Sequence, residues 1–127
     1  MPLSFGKALR TAPWFCLALL AILSLVPGEA RPHTGLPGQA EHFFAYLITG
    51  LLLGLNVGRS QHRIGLALGL CVYAGILEIF QIWIPGRNAA LVDFAASSCG
   101  AWTGVILSVV CLHSISRTTA GTTSSSM

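Results

Sequence analysis

Five polar side chains stand out in a mostly apolar sequence, because their types could bind or process a charged ligand. An arginine can hold a phosphate or carboxylate through paired hydrogen bonds, and a histidine beside carboxylates can transfer protons as a general acid or base. The sequence shows no recognisable nucleophile and no HExxH or paired-cysteine spacing, so it predicts no metal site and no cofactor. The five residues are His42, Glu78, Gln81, Arg87 and Asp93.

The spacing of these residues indicates how they could meet. Glu78 and Gln81 are three positions apart and therefore share one face of a helix. Arg87 follows a Pro-Gly turn, from which its long side chain can fold back toward Glu78 or reach forward to Asp93. We therefore predict that Arg87 pairs with one or both carboxylates, with His42 beside them.

The elements that carry these residues have the composition of a membrane protein. Of 127 residues, 54% are hydrophobic and 9% are charged, and the mean hydropathy is +0.74, whereas about a quarter of a soluble domain is charged. The net charge of +3 comes from seven Lys and Arg that form no basic cluster, so no nucleic-acid partner is predicted. The expected partner is the lipid bilayer.

Four apolar runs predict an all-α, polytopic membrane protein, a bundle of about four transmembrane helices. The last two runs can cross a hydrocarbon core of about 30 Å, whereas the first two need flanking residues to do so. The predicted helices cover residues 12–27, 42–58, 64–84 and 89–112. They make up a transmembrane domain at 12–113, which follows an N-terminus at 1–11 and precedes a polar tail at 114–127 that is predicted to be disordered.

The basic residues predict the orientation of the bundle, since short cytoplasmic segments are enriched in Lys and Arg. One side receives Lys7, Arg10, Arg59, Arg63 and Arg117. The other side receives only Arg31 and Arg87, together with Glu29 and Glu41. Both termini are therefore predicted to be cytoplasmic, in a multi-pass protein of the inner or plasma membrane.

This topology brings the polar side chains to one depth. Counted from Ile64, Glu78 lies about 21 Å and Gln81 about 26 Å along the third helix. Asp93 lies about 6 Å into the fourth helix, and His42 opens the second. Ionisable groups at membrane depth are costly, so they usually face the interior of a bundle and pair. We expect one polar site at the extracytoplasmic face.

The first helix has a second interpretation. A basic N-terminus precedes the apolar run, and Gly-Glu-Ala at 28–30 has the small-residue spacing of a signal-peptidase site. A cleaved signal peptide would remove this helix, whereas Pro27 and Gly28 are equally natural at the end of a membrane span. Both interpretations remain open, and in both the segment 31–42 lies outside.

Small residues indicate how the helices pack. Among 14 glycines, GxxxG spacing occurs at Gly50, Gly54 and Gly58, at Gly65 and Gly69, and at Gly100 and Gly104. Such spacing lets helices approach closely and favours a tight bundle or a homo- or hetero-oligomer. The four cysteines lie in apolar runs and are interpreted as packing residues, with a redox pair as the alternative if two helices bring them together.

The order of these motifs resembles the VanZ-like family of small integral membrane proteins. The resemblance spans about residues 36–106 and rests on EHFFAYLITG and YAGILEIFQIWIPGRNAALVDFAASSCGAWTG. The matching residues are His42, Phe43, Tyr46, Glu78, Gln81, Pro85, Gly86, Arg87, Asp93, Gly100 and Gly104.

The chain also departs from the family pattern. Gly38 and Gln39 stand where the family often has Asp-Lys, Ala90 replaces a frequent Ser, and Ser97 stands where Asn is common. The family is named for a protein that raises resistance to the glycopeptide antibiotic teicoplanin. The resemblance therefore implies a bacterial cell-envelope function linked to that antibiotic.

Three hypotheses follow for the polar site. The site binds an anionic envelope molecule, such as a lipid or a lipid-linked cell-wall precursor, with Arg87 on its phosphate or carboxylate. Alternatively, the protein is an enzyme acting on such a lipid, with Glu78 or Asp93 as general base and His42 as acid. In the third hypothesis the charges only order the bundle, and glycine faces bind another membrane protein. The first is favoured over the second because no nucleophile is recognisable.

Overall fold

The chain folds into a bundle of four helices. The computed structural model describes residues 2–30 and 34–124, so Arg31 and the end of the predicted tail lie outside the described residues. The helices are α1 (Pro2–Leu25), α2 (Gly38–Leu55), α3 (Ser60–Gln81) and α4 (Leu91–Ser124), with a short 3-10 turn at Gly28–Ala30. The predicted all-α fold is confirmed, and the described ranges contain no strand.

The helix bounds differ from the predicted ones where polar flanks join a helix or a proline ends it. α1 begins at Pro2 rather than residue 12, and α2 begins at Gly38 rather than residue 42. α3 ends at Gln81 rather than residue 84, because Pro85 has no N–H to donate to the carbonyl of Gln81. Ile84 donates to that carbonyl at 3.2 Å instead, in a tighter turn.

The tail that was predicted to be disordered is instead helical as far as Ser124. Its hydroxyls bond to the carbonyls of the preceding turn, Ser114 to Val110 and Thr118 to Ser114, each at 3.0 Å. Such bonds satisfy polar side chains within a helix. The side chains of residues 113–122 are exposed.

Side-chain contacts establish the helix directions. Asn56, just after α2, donates to the carbonyl of Leu9 near the start of α1 at 2.8 Å, so α1 and α2 are antiparallel. Gln81 at the end of α3 donates to the carbonyl of Ser24 at the end of α1 at 3.2 Å, so α1 and α3 run in the same direction. We call the end of the bundle where α1 and α3 finish the upper end, and the opposite end the lower end.

Glycines bring α2 and α4 into backbone contact. A Cβ at Gly50 would lie 2.7 Å from the carbonyl oxygen of Ala101, and a Cβ at Gly54 would overlap the side chain of Ser108. Because the contacting positions increase together along both helices, α2 and α4 are parallel and both run downward. The bundle is therefore up-down-up-down.

The GxxxG pairs on α3 and α4 lie on different kinds of surface. Gly100 and Gly104 on α4 face the backbone of α2, where an added Cβ would overlap main-chain atoms, so this GxxxG pair packs the chain against itself. A Cβ at Gly65 or Gly69 on α3 would meet no other described atom within 4 Å. An oligomer through α3 stays a prediction.

In the part of the chain that the structure describes, three helices are long and apolar enough to cross a membrane, over Phe5–Leu25, Ser60–Gln81 and Leu91–Thr122. Within the described ranges α2 does not join this set, and its first turns are polar. It nevertheless connects the upper end of α1 to the lower end of α3 and so traverses the same depth. The chain is a membrane protein by the length and composition of its helices.

The apolar core lies where all four helices meet. The buried cluster consists of Leu20, Tyr46, Leu70, Ala74 and Ala101. Beside it, the Tyr73 hydroxyl donates to the carbonyl of Leu17 at 2.6 Å and joins α3 to α1. The four cysteines are free, and Cys99 and Cys111 are exposed, so these two do not pack the core.

A proline explains the contact between α1 and α2 at the lower end. Pro13 lies inside α1 and is fully buried. It has no N–H, so the carbonyl of Leu9, four residues earlier, loses its helical donor. Asn56 Nδ2 donates to that oxygen and also to the carbonyl of Leu52, both at 2.8 Å.

Candidate functional site

The five predicted site residues all belong to segments at the upper end of the bundle. They are His42 near the start of α2, Glu78 and Gln81 near the end of α3, Arg87 in the loop that follows, and Asp93 in the first turn of α4. The structure divides them into two groups with different partners.

His42, Glu78 and Asp93 converge from three helices. One imidazole nitrogen and one carboxylate oxygen from each acid lie within 4.8 Å of one another. All three side chains are half-buried. We call these residues the acid–histidine cluster. Because its members come from separate helices, the sequence predicted their shared depth but could not establish which side chains meet.

Glu78 carries an unsatisfied atom in this cluster. Its carboxylate interacts with the backbone N–H of Ala90, in the segment before α4. Its Oε2 atom is buried and has no hydrogen-bond partner among the described residues. The nearby charge of Asp93 repels the carboxylate and that of Arg87 attracts it. A buried oxygen without a donor is costly, so this atom is where a ligand would gain the most.

Ser97 orients the histidine of the cluster. Its Oγ lies 3.3 Å from His42 Nδ1, and the residue is 2% exposed. Where Nδ1 carries the proton and donates it to Ser97, the lone pair of the ring is at Nε2. Sequence reasoning noted Ser97 only as a departure from the family, although it lies four positions after Asp93 and hence on the same helix face.

Gln81 and Arg87 bind the end of α1. Gln81 is 2% exposed, and its Nε2 donates to the carbonyl of Ser24 at 3.2 Å. Arg87 donates through Nε to the carbonyl of Val26 at 3.1 Å and through Nη2 to that of Leu23. The last carbonyls of a helix have no intrahelical donors and carry partial negative charge, which favours a cation there.

Arg87 has contacts that the sequence did not predict. Its charge lies near Glu78, and two hydrogen bonds of its guanidinium run to α1. Gln81 likewise faces α1, although it shares a helix face with Glu78. The two side chains therefore hold helices together beside the acid–histidine cluster.

A backbone contact completes this junction. The N–H of Gly28 donates to the carbonyl of Pro85 at 3.1 Å. A Cβ at Gly28 would overlap the carbonyl of Gly86, and Gly86 itself has a φ of +73°, which favours glycine. This contact, together with the bonds from Gln81 and Arg87, holds the end of α1 against the end of α3 and the loop that follows it.

An open groove of about 320 Å³ lies beside the acid–histidine cluster, between the end of α3 and the start of α4. Its lining includes Gly75, Glu78, Ile79, Ile82, Leu91 and Phe94. Ile79, Ile82 and Leu91 are more than half exposed, so the groove opens sideways, toward lipid when the helices span a membrane. Glu78 gives this apolar groove a charged wall.

The cluster can accept hydrogen bonds, bind a cation through its carboxylates, or move a proton through His42. Two carboxylates face one arginine in this region, and that arginine bonds to helix carbonyls. A bare anion would therefore meet repulsion at Glu78 and Asp93.

Comparison with known proteins yields no match: no protein-family model, no curated protein and no solved structure matches this chain. The resemblance to the VanZ-like family stays an expectation from the sequence.

Proposed function

We propose that this protein is a multi-pass cell-envelope protein that binds an amphiphilic lipid at the upper end of its bundle. An acyl or isoprenoid chain lies in the apolar groove, and the polar headgroup meets the acid–histidine cluster. The observation that carries this proposal is the lining of the groove, in which Glu78 stands among apolar side chains; one oxygen of the same carboxylate, Oε2, is buried without a hydrogen-bond partner among the described residues.

The groove suits a lipid because it combines two chemistries over a short distance. Ligand sites are mostly apolar, with a few polar groups that fix the orientation of the ligand. Here Ile79, Ile82 and Leu91 offer apolar contact, while Glu78 and the backbone around Ala90 offer polar contact. The ligand class remains that of the sequence hypothesis, an anionic lipid or a lipid-linked cell-wall precursor. Its headgroup hydroxyls would donate to the carboxylate of Glu78, while its anionic group lies away from the two acids.

The charge distribution supports an extracytoplasmic site. α1 and α3 begin at the lower end with Lys7, Arg10 and Arg63, and the antiparallel arrangement also leaves Arg59 and Arg117 on that side. The positive-inside rule makes the lower end cytoplasmic. Both termini are then cytoplasmic, and the groove opens in the outer leaflet.

The resemblance to the VanZ-like family extends this proposal to glycopeptide resistance. In a host that teicoplanin can reach, the wild-type chain is expected to raise survival under the antibiotic. Glu78→Gln is expected to abolish that protection while the chain remains abundant in the membrane. Protection that is absent with the wild type would remove the antibiotic from the proposal and leave lipid binding to the direct test.

The direct test is photo-crosslinking of the full-length protein to a phosphatidylglycerol whose acyl chain carries a photoreactive group. Wild-type protein is expected to crosslink within the groove. Glu78→Gln, which removes the carboxylate acceptor for the headgroup hydroxyls, and Leu91→Trp, which obstructs an exposed part of the groove, are each expected to reduce the yield several-fold. Glu29→Gln is the matched control, because Glu29 is exposed and lies outside the groove. Equal yields from all four folded proteins would contradict the proposal.

Catalysis on the bound lipid is the second candidate, and the position of His42 beside two carboxylates favours it. A general base among these groups must change protonation during the reaction. Glu78→Gln and Asp93→Asn are therefore expected to abolish turnover of the lipid. Full turnover in the double variant would exclude Glu78 and Asp93 as the general base. Absence of turnover by a wild-type protein that crosslinks to the lipid would exclude the enzymatic function.

A further inference from the structure

The acid–histidine cluster has the donor atoms of a metal site. One nitrogen and two oxygens, from His42, Glu78 and Asp93, lie within 4.8 Å of one another. Donors about 2.1 Å from a tetrahedral metal stand about 3.4 Å apart. Donors within 4.8 Å of one another can reach that spacing by side-chain rotation.

Charge and hydrogen bonding indicate what the cluster lacks. Glu78 and Asp93 place two carboxylates together at membrane depth, where ionised groups are costly unless they are paired. One of their oxygens, Glu78 Oε2, is buried without a partner among the described residues. A divalent cation would compensate both carboxylates and coordinate that oxygen.

The contact between His42 and Ser97 fits a metal ligand. Metal-binding histidines almost always donate their second N–H to a neighbouring acceptor, which fixes the tautomer and the ring orientation. The buried Ser97 hydroxyl lies 3.3 Å from Nδ1. With the proton of the ring directed to Ser97, Nε2 is the atom that coordinates.

We propose that His42, Glu78 and Asp93 bind one divalent transition-metal ion, with Zn²⁺ the best match to their donor atoms. Imidazole suits Zn²⁺ better than Mg²⁺ or Ca²⁺, which prefer oxygen ligands alone. Three protein ligands leave a coordination position open, as in catalytic zinc sites.

A metal with an open coordination position would also let an anionic ligand bind despite the repulsion from Glu78 and Asp93. A phosphate oxygen of the lipid can occupy that position, so the metal supplies the positive charge that the two carboxylates otherwise oppose. This use of the metal rests on the proposed function, whereas the metal site itself rests on the geometry.

The test is a zinc titration of the full-length protein in detergent, after treatment with a chelator and without added lipid. We expect one equivalent of Zn²⁺ per chain. His42→Ala, Glu78→Gln and Asp93→Asn are each expected to weaken binding by at least about tenfold, and Ser97→Ala by about 10–100-fold. Circular dichroism and gel filtration establish that each variant is folded, and the small Ser97→Ala change keeps the test decisive if a ligand variant fails to fold.

The controls use the other groups that bind zinc. His62→Ala and His113→Ala remove exposed histidines outside the cluster and are expected to leave affinity unchanged. The titration is repeated with all four cysteines changed to serine, since exposed thiols also bind zinc. Absence of a stoichiometric site, or a site lost with these controls and retained in the cluster variants, would overturn the proposal.

A second measurement separates this inference from the proposed function. The phosphatidylglycerol crosslink is measured with and without one equivalent of Zn²⁺, and zinc is expected to increase its yield. Zinc that binds through the cluster without any lipid crosslink contradicts the proposed function and leaves the metal site standing. A groove crosslink in a chain that binds no zinc overturns the metal site and leaves lipid binding standing.

Discussion

The guanidinium of Arg87 reaches the end of α1, where its Nε donates to the carbonyl oxygen of Val26, the residue that follows the helix, at 3.1 Å. A side chain that the sequence assigned to a ligand therefore serves a helix end. These hydrogen bonds hold the end of α1 against the α3–α4 loop at the upper end. We therefore expect Arg87 to contribute to the stability of the bundle and not to ligand affinity alone.

Arg87→Ala is expected to destabilise the bundle by about 1.5–3 kcal/mol, the range for hydrogen bonds to charged groups. Arg87→Lys keeps the charge but loses the planar fork, so its effect is expected to lie between alanine and wild type. The measurement is thermal unfolding in detergent, together with the amount of chain in the membrane. Arg117→Ala on the exposed part of α4 is the control, and wild-type stability and abundance of Arg87→Ala would contradict this role.

Asn56→Ala is expected to destabilise the lower end because the carbonyl of Leu9 loses the donor that replaces the missing N–H of Pro13. The cost is about 1 kcal/mol for one hydrogen bond. In a Pro13→Ala background, residue 13 again donates to Leu9, so the same substitution is expected to cost less.

This pair forms a double-mutant cycle, measured as free energies of unfolding in detergent. The expected coupling is about 0.5 kcal/mol or more. Part of the cost of Asn56→Ala persists in both backgrounds, since Asn56 also bonds to Leu52. An identical cost in both backgrounds would show that Asn56 does not compensate for the proline.

Two glycine substitutions are expected to change stability in opposite directions. Gly100→Ala forces a methyl group against the backbone of Phe43, which separates α2 from α4 at a cost of about 1–3 kcal/mol. Gly69→Ala meets open space and is expected to gain up to about 1 kcal/mol in helix propensity. The melting temperatures of the two variants test this prediction. A similar loss of stability in both would indicate that a partner packs against α3.

The mature protein is expected to retain α1. Three hydrogen-bonded contacts join the end of α1 and the turn after it to the α3–α4 region: Gln81 and Arg87 donate to carbonyls at the end of α1, and the N–H of Gly28 donates to the carbonyl of Pro85. Cleavage after residue 30 and release of the helix would leave buried carbonyl acceptors and their donors unmatched, which is costly. Intact mass spectrometry of the purified protein tests this, and a species that begins after Ala30 would support the signal-peptide alternative.

The sequence predicted the four helices and the depth of the polar residues, because apolar runs and the rise per residue depend on local sequence alone. It did not predict the tail helix, in which hydroxyls bond to their own backbone. Low hydrophobicity indicates that a segment buries little surface. It does not indicate whether a preceding helix continues through that segment.

The sequence could not assign partners within the polar layer. Glu78 and Gln81 share a face of α3, yet Glu78 meets the start of α4 and Gln81 meets the end of α1. Which neighbour each side chain reaches depends on the rotation and spacing of the helices. The tight approach of α2 to α4 fixes the position of one of these neighbours, α4, through glycine contacts that are distant in sequence.

α4 is longer than α2 and therefore extends beyond it at the lower end. α4 has 34 residues and α2 has 18, and since both start near the upper end, α4 projects from the lower end by about 20 Å. The projection is a continuation of the same helix that carries Asp93. A fluorophore on Thr122, which is exposed, would therefore magnify small tilts of α4 and report ligand-induced motion at the far side of the membrane.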